Sequence, residues 1–75
     1  MDNINIMKFL LKTEYIEMCQ LLKLENLAQS GGEAKFVISE GLVQLNGEVE
    51  TRKRKKIYAG DSVEFKGTVV EVCGS

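Results

Sequence analysis

Seventy-five residues make one small domain, with no room for a second core. An apolar content of 44% suits a globular core despite 28% charged residues and argues against disorder. A net charge of −1 and a pI near 5.4 exclude general coating of nucleic acid, so any affinity for a polyanion has to come from a local patch.

The first segment, NINIMKFLLK, alternates: Ile4, Ile6 and Lys8 point one way, Asn3, Asn5 and Met7 the other. It predicts a strand over residues 3–10, with Phe9, Leu10 and Leu11 breaking the pattern at its end. Thr13 is placed to cap a helix beginning at Glu14. Glu14 and Glu17 would then lie in its first turn, where negative charge suits the helix dipole. Tyr15, Ile16, Cys19 and Leu22, flanked by Met18, form one apolar stripe at helical spacing and read as core. The helix should end near Lys23 or Leu24, with Leu24 and Leu27 anchoring the connection LENLAQ.

Ser30-Gly31-Gly32-Glu33 is a capping box. The Ser30 hydroxyl can accept from the Glu33 N–H while the Glu33 carboxylate reaches back to the Ser30 N–H. It predicts a second helix over 31–40 that buries Ala34, Val37 and Ile38 and leaves Phe36 off that stripe. Gly41 sits where a left-handed C-terminal cap is wanted. A hairpin follows, with strands 42–45 and 48–51 around Asn46-Gly47, a pair that tolerates the positive φ of a type I′ turn. Val43 and Leu45 should face the core; Gln44, Glu48 and Glu50 should face water.

Next comes the basic run Arg52-Lys53-Arg54-Lys55-Lys56, which holds five of the ten Lys and Arg residues. Were it extended, Arg52, Arg54 and Lys56 would share one side, with Lys53 and Lys55 on the other. Ile57 and Tyr58 should return the chain to the core, and Ala59-Gly60-Asp61 forms a turn. A second hairpin with Gly67 at its tip joins strands 62–66 and 68–72, whose inward residues are Val63, Phe65, Val70 and Val72. Strand, two helices, then short strands make an α+β domain.

The ordered set Ser30, Ala34-Lys35, Val37-Ile38, Gly41, Val43-Gln44-Leu45-Asn46-Gly47 and Gly60-Asp61, within residues 15–63, resembles the alpha-L RNA-binding domain. That family is named after small-subunit ribosomal protein S-four. The resemblance implies an alpha-L fold, two helices packed on a small, mainly antiparallel sheet of short strands. One position departs from the family pattern: where the family usually places an RNA-contacting Arg after the Ser, this chain has Gly31, then Gly32. The Ser-Gly form, with QLLKLENLAQSGGEAK and ETRKRKKIYAGD, is similar to the short, stand-alone bacterial members. Such proteins are held to bind RNA and to associate with ribosomes or their assembly.

Two features are suited to an RNA backbone. At the start of the second helix, free N–H groups at Gly31 and Gly32, the Ser30 cap and the Lys35 charge suit a phosphate, although Glu33 would oppose one if turned inward. The run Arg52, Lys53, Arg54, Lys55 and Lys56 supplies charge, and its arginines can each grip a phosphate with two parallel hydrogen bonds. The usual outcome for such a run is a solvated loop. Aromatic residues are few and mostly assigned to the core, which leaves only Phe36 and Tyr58 as candidates for stacking on a base. Recognition of shape and backbone in structured RNA is therefore expected over a stacking platform, and the resemblance implies ribosomal RNA or a ribosomal subunit as the target.

Catalysis is not expected. There is no His and no phosphate loop, and the carboxylates are scattered. Cys19 and Cys73 cannot make up a zinc ligand set, and are expected to be reduced. No metal or cofactor is expected. The apolar runs are too short to span a bilayer and no leader pattern is visible, so a soluble, cytoplasmic monomer is expected. The alternative is a protein-interaction adapter whose basic loop docks on an acidic protein surface; a membrane-surface role lacks an amphipathic anchor.

Overall fold

The computed structural model describes residues 4–74. Asn3, the first residue of the expected strand, lies outside them. The strand itself, β1, runs Asn5–Leu11. Its alternation does not break: Met7, Phe9 and Leu11 turn to the core, while Ile6 and Leu10 are exposed. Three consecutive large apolar residues hid that pattern, because Leu10 lies on the outer face.

Residues 13–17 correct the expected helix start. Thr13 caps nothing; its hydroxyl donates to the Tyr15 carbonyl at 2.8 Å. Ile16–Glu17 is a short strand, β2, and the first helix, α1, covers only Met18–Leu24. Its first turn holds no acidic residue. It buries Met18, Cys19, Leu21 and Leu22, whereas Tyr15 is exposed and Leu24 faces water. Seven residues are too few to hold a helix alone, so α1 depends on packing against the second helix, α2, Gly31–Ser39.

Helix α2 buries Ala34, Val37 and Ile38 as expected and leaves Phe36 exposed. Both helices end in the same way. Asn26 (φ 59°) and Gly41 (φ 77°) take the left-handed conformation. The N–H of Leu27 then reaches the Leu22 carbonyl at 2.9 Å, and that of Leu42 reaches Val37 at 3.1 Å. Two Schellman motifs therefore satisfy the carbonyls each helix leaves open.

The remaining strands are β3 (Val43–Leu45), β4 (Glu48–Val49), β5 (Lys56–Ile57), β6 (Ser62–Phe65) and β7 (Thr68–Gly74). The main sheet has the order β1-β7-β6-β3-β4, antiparallel except for the β1–β7 pair. That pair is parallel, in register from Asn5↔Thr68 to Leu11↔Gly74. Strands β2 and β5 form a separate two-stranded ribbon. Asn46-Gly47 and Lys66-Gly67 both adopt positive φ at their hairpin tips, as type I′ turns need. Val43, Val63, Phe65, Val70 and Val72 meet Leu22, Ile38 and Ile57 in one buried cluster. Each fully buried aliphatic side chain there contributes about 1.5–3 kcal/mol.

Candidate nucleic-acid interface

The basic run is not extended. Lys53 and Arg54 form a turn, closed by the Lys55 N–H on the Arg52 carbonyl at 3.2 Å. Arg52, Arg54 and Lys56 still share one side and Lys53 lies outside it, but Lys55 joins them where an extended run would have sent it opposite. The turn is fastened through its backbone. Helix α1 has no side-chain cap, and its first N–H groups would be orphans. The Met18 N–H donates to the Lys55 carbonyl at 2.9 Å, and the Cys19 N–H to the Lys53 carbonyl at 3.1 Å. Beyond the turn, Lys56–Ile57 pairs with Ile16–Glu17 and the Ile57 side chain is fully buried. This pairing holds residues 16–17 extended and delays the helix to Met18.

The two arginines are held by carboxylates. Arg52 grips Glu50 with both Nε (2.9 Å) and Nη2 (3.0 Å), and its own N–H adds a third bond at 3.0 Å. Glu50 does not face water as expected: its side chain is 13% exposed. The Arg52 side chain, hydrogen-bonded to it, with the Arg52 N–H second, lowers the Glu50 pKa from 4.5 to about 2. Arg54 donates from Nε to Glu17 Oε2 at 3.1 Å, and its Nη2 forms an ion pair with the same oxygen at 3.1 Å. Both guanidiniums are thus oriented while their outer edges stay open, the side chains being 70% and 76% exposed. The lysines of the run form no ion pair among the described residues.

Arg52, Arg54, Lys55 and Lys56 line one groove of about 440 Å³ together with Tyr58. Tyr58 is a correction: Ile57 returns to the core, but Tyr58 is 44% exposed. It stands beside Tyr15, itself 37% exposed, with ring centroids 6.1 Å apart. The Lys56 ammonium lies over the Tyr15 ring, 4.8 Å from its centroid. Strand alternation carried the signal for Tyr58, since an inward Ile57 sends its neighbour outward. The same periodicity puts Glu50 and Arg52 on one side of an extended segment. A larger hollow of about 660 Å³, between the end of β1 and α1, is lined by Tyr15 and mixes apolar residues with Lys12, Glu14 and Glu17. Its charges favour no anion.

At the start of α2, the Ser30 hydroxyl accepts from the Glu33 N–H at 3.1 Å. The Glu33 carboxylate reaches one residue further back than expected, accepting from the Gln29 N–H at 2.6 Å. Space is open around Gly31, and a side chain at Gly32 would meet only the Ser30 hydroxyl, at 3.8 Å. Ser30, Gly31, Gly32 and Lys35 do not line the basic groove, nor does Lys53. The residues singled out from sequence thus fall into two separate groups.

The Asn-Gly and Gly-Asp motifs fix the frame of this face. Asn46 donates from Nδ2 to Asp61 Oδ1 at 3.0 Å and accepts the Ser62 N–H at 2.9 Å. Asp61 Oδ2 accepts the Tyr58 N–H at 2.8 Å. The hairpin tip and the turn carrying Tyr58 are therefore tied together. Among the described residues no cluster suited to a metal ion occurs, and no helix is long and apolar enough to cross a membrane. Cys19 and Cys73 are free thiols.

Comparison with known proteins gives concordant matches. Residues 9–73 match the S4 domain family. The chain is 52% identical over 61 residues to the Escherichia coli (strain K12) protein named "Putative RNA-binding protein YbcJ", covering 81% of this chain and 87% of that one. It is 47% identical over 55 residues to the Bacillus subtilis (strain 168) "Probable ribosome maturation protein RlbA", covering 73% and 78%. A solution structure of E. coli YbcJ, described as revealing an alfaL motif involved in RNA-binding, superposes with a TM-score of 0.66 at 46% identity. That superposition covers 97% of this chain and 91% of the other.

Proposed function

The chain belongs to the S4 domain family, and from that premise we propose that it binds structured RNA without catalysis, by phosphate-backbone and shape recognition. The target class is ribosomal RNA or a ribosome precursor. The observation that carries this reading is the anchored basic turn. A solvated charge run would be loose; here two backbone bonds to α1 and the buried Ile57 hold it. Arg52, Lys53, Arg54, Lys55 and Lys56 then meet phosphates as a preformed array, at reduced ordering cost.

Ser30, Gly31, Gly32 and Lys35 supply a second, weaker contact through helix N–H groups and one charge. It is weaker because the Glu33 carboxylate already occupies that helix start. The name of YbcJ supports RNA binding, and that of RlbA, a probable ribosome maturation protein, supports the ribosomal target class.

Binding to ribosomal RNA extracted from dissociated subunits tests the proposal. With about four phosphates engaged, log K should fall against log salt with a slope of roughly −3 to −4. The variant Lys53→Glu, Arg54→Glu, Lys55→Glu should lose binding while its circular dichroism stays unchanged. Unaltered affinity in that variant refutes the site. Nuclease-resistant capture of acidic proteins without ribosomal RNA would instead favour docking on protein.

A further inference from the structure

We propose that Tyr58 is a stacking surface for one unpaired nucleobase, so that the preferred RNA is a helix interrupted by a bulge or loop nucleotide. This rests on the RNA reading above and names the element that the groove selects. A tyrosine exposed to 44% beside a strongly basic turn is unusual company for a water-facing position. It shares the groove with Arg52, Arg54, Lys55 and Lys56, four cations suited to the phosphates on either side of an extruded base.

The ring has an aromatic neighbour. Tyr15 lies 6.1 Å away at an angle of 49°, and Lys56 sits over Tyr15. Its backbone is fixed as well. The Tyr58 N–H donates to Asp61 Oδ2 at 2.8 Å, and the Asp61 N–H returns to the Tyr58 carbonyl at 3.0 Å. An aromatic face on a rigid turn gives up little entropy on stacking. Glu50 and Glu17 hold the inner edges of Arg52 and Arg54, while Lys55 and Lys56 carry no carboxylate partner among the described residues, so the groove keeps a net positive lining. The occupant that fits both the ring and the cations is a nucleotide, whose base is flat and whose phosphate is anionic.

Two RNA hairpins of equal length serve as probes, one fully paired and one carrying a single bulged adenosine in its stem. The wild-type protein should bind the bulged hairpin about tenfold more tightly. Tyr58→Phe should keep that preference, and Tyr58→Leu should bring the bulged hairpin down to the paired level while leaving the paired affinity unchanged. Equal wild-type affinity for the two hairpins overturns the stacking assignment, as does a preference that survives in Tyr58→Leu. An equal loss on both hairpins in Tyr58→Leu overturns it too, since the tyrosine would then only support the turn. Failure of the wild-type protein to bind either hairpin, or extracted ribosomal RNA, overturns the RNA reading itself.

Discussion

Replacing Glu50 with Gln separates stability from binding on the same face. The Glu50 carboxylate accepts three hydrogen bonds from Arg52, and its pKa falls from 4.5 to about 2. At about 1.4 kcal/mol for each tenfold change in proton affinity, that drop would correspond to about 3 kcal/mol without screening. The Arg52 side chain is 70% exposed, so water competes for the pair and about 1 kcal/mol is the better figure. For a domain of this size, with a urea dependence near 1 kcal/mol per molar, the midpoint of Glu50→Gln should fall by about 1 M at pH 7. The sign with pH follows from a depressed pKa. The stabilisation is complete above about pH 4.5, fades as pH falls, and is lost as the carboxylate protonates near pH 2. The two proteins differ at this one side chain, so the difference between their urea midpoints isolates Glu50. Equal midpoints at pH 7 would refute this reasoning, and so would a difference undiminished at pH 2. Binding should move the other way: with a negative charge gone and Arg52 released, affinity for ribosomal RNA should rise about two- to fivefold at low salt.

Gly41→Ala should cost about 1 kcal/mol in thermal or urea unfolding, because φ is +77°, where a Cβ is strained although the space beside Val49 would admit it. Gly31→Arg enters open space; it should leave the melting temperature unchanged and steepen the salt slope of RNA binding by about one. Ile57→Val should cost about 0.5–1.5 kcal/mol. Amide exchange at Met18 and Cys19 should accelerate more than in the main sheet, since those protons bond to the turn that Ile57 anchors.

The parts of the fold governed by local rules were legible in the sequence. The Ser30–Glu33 bond, the buried side of α2, Gly41, Asn46-Gly47 and the second hairpin follow from capping, periodicity and turn chemistry within a few residues. The failures lie where a distant partner decides. Residues 14–17 have helical spacing, yet Lys56–Ile57 pairs with Ile16–Glu17 and the carbonyls of Lys53 and Lys55 cap α1 from across the chain. Once those residues are extended, Tyr15 leaves the core and Glu17 turns to Arg54. The cationic side chains of the candidate site were readable from composition. Their arrangement was not, because it depends on carboxylates and tyrosines that look unremarkable in the sequence until the turn is folded.

The β1–β7 pair imposes an order of events on folding. Among the described residues, strand β1 is made before the other elements and pairs with β7 alone, which is made after them. Until Thr68–Gly74 exists, Met7 and Phe9 have no sheet to join, while the local hairpin β3–β4 and the helix pair can already form. Closing such a long loop late slows folding. It also leaves an apolar strand unpaired during synthesis, a state open to pairing with other chains. Lys8, exposed at the middle of β1, puts a charge in that strand and discourages such pairing during the interval.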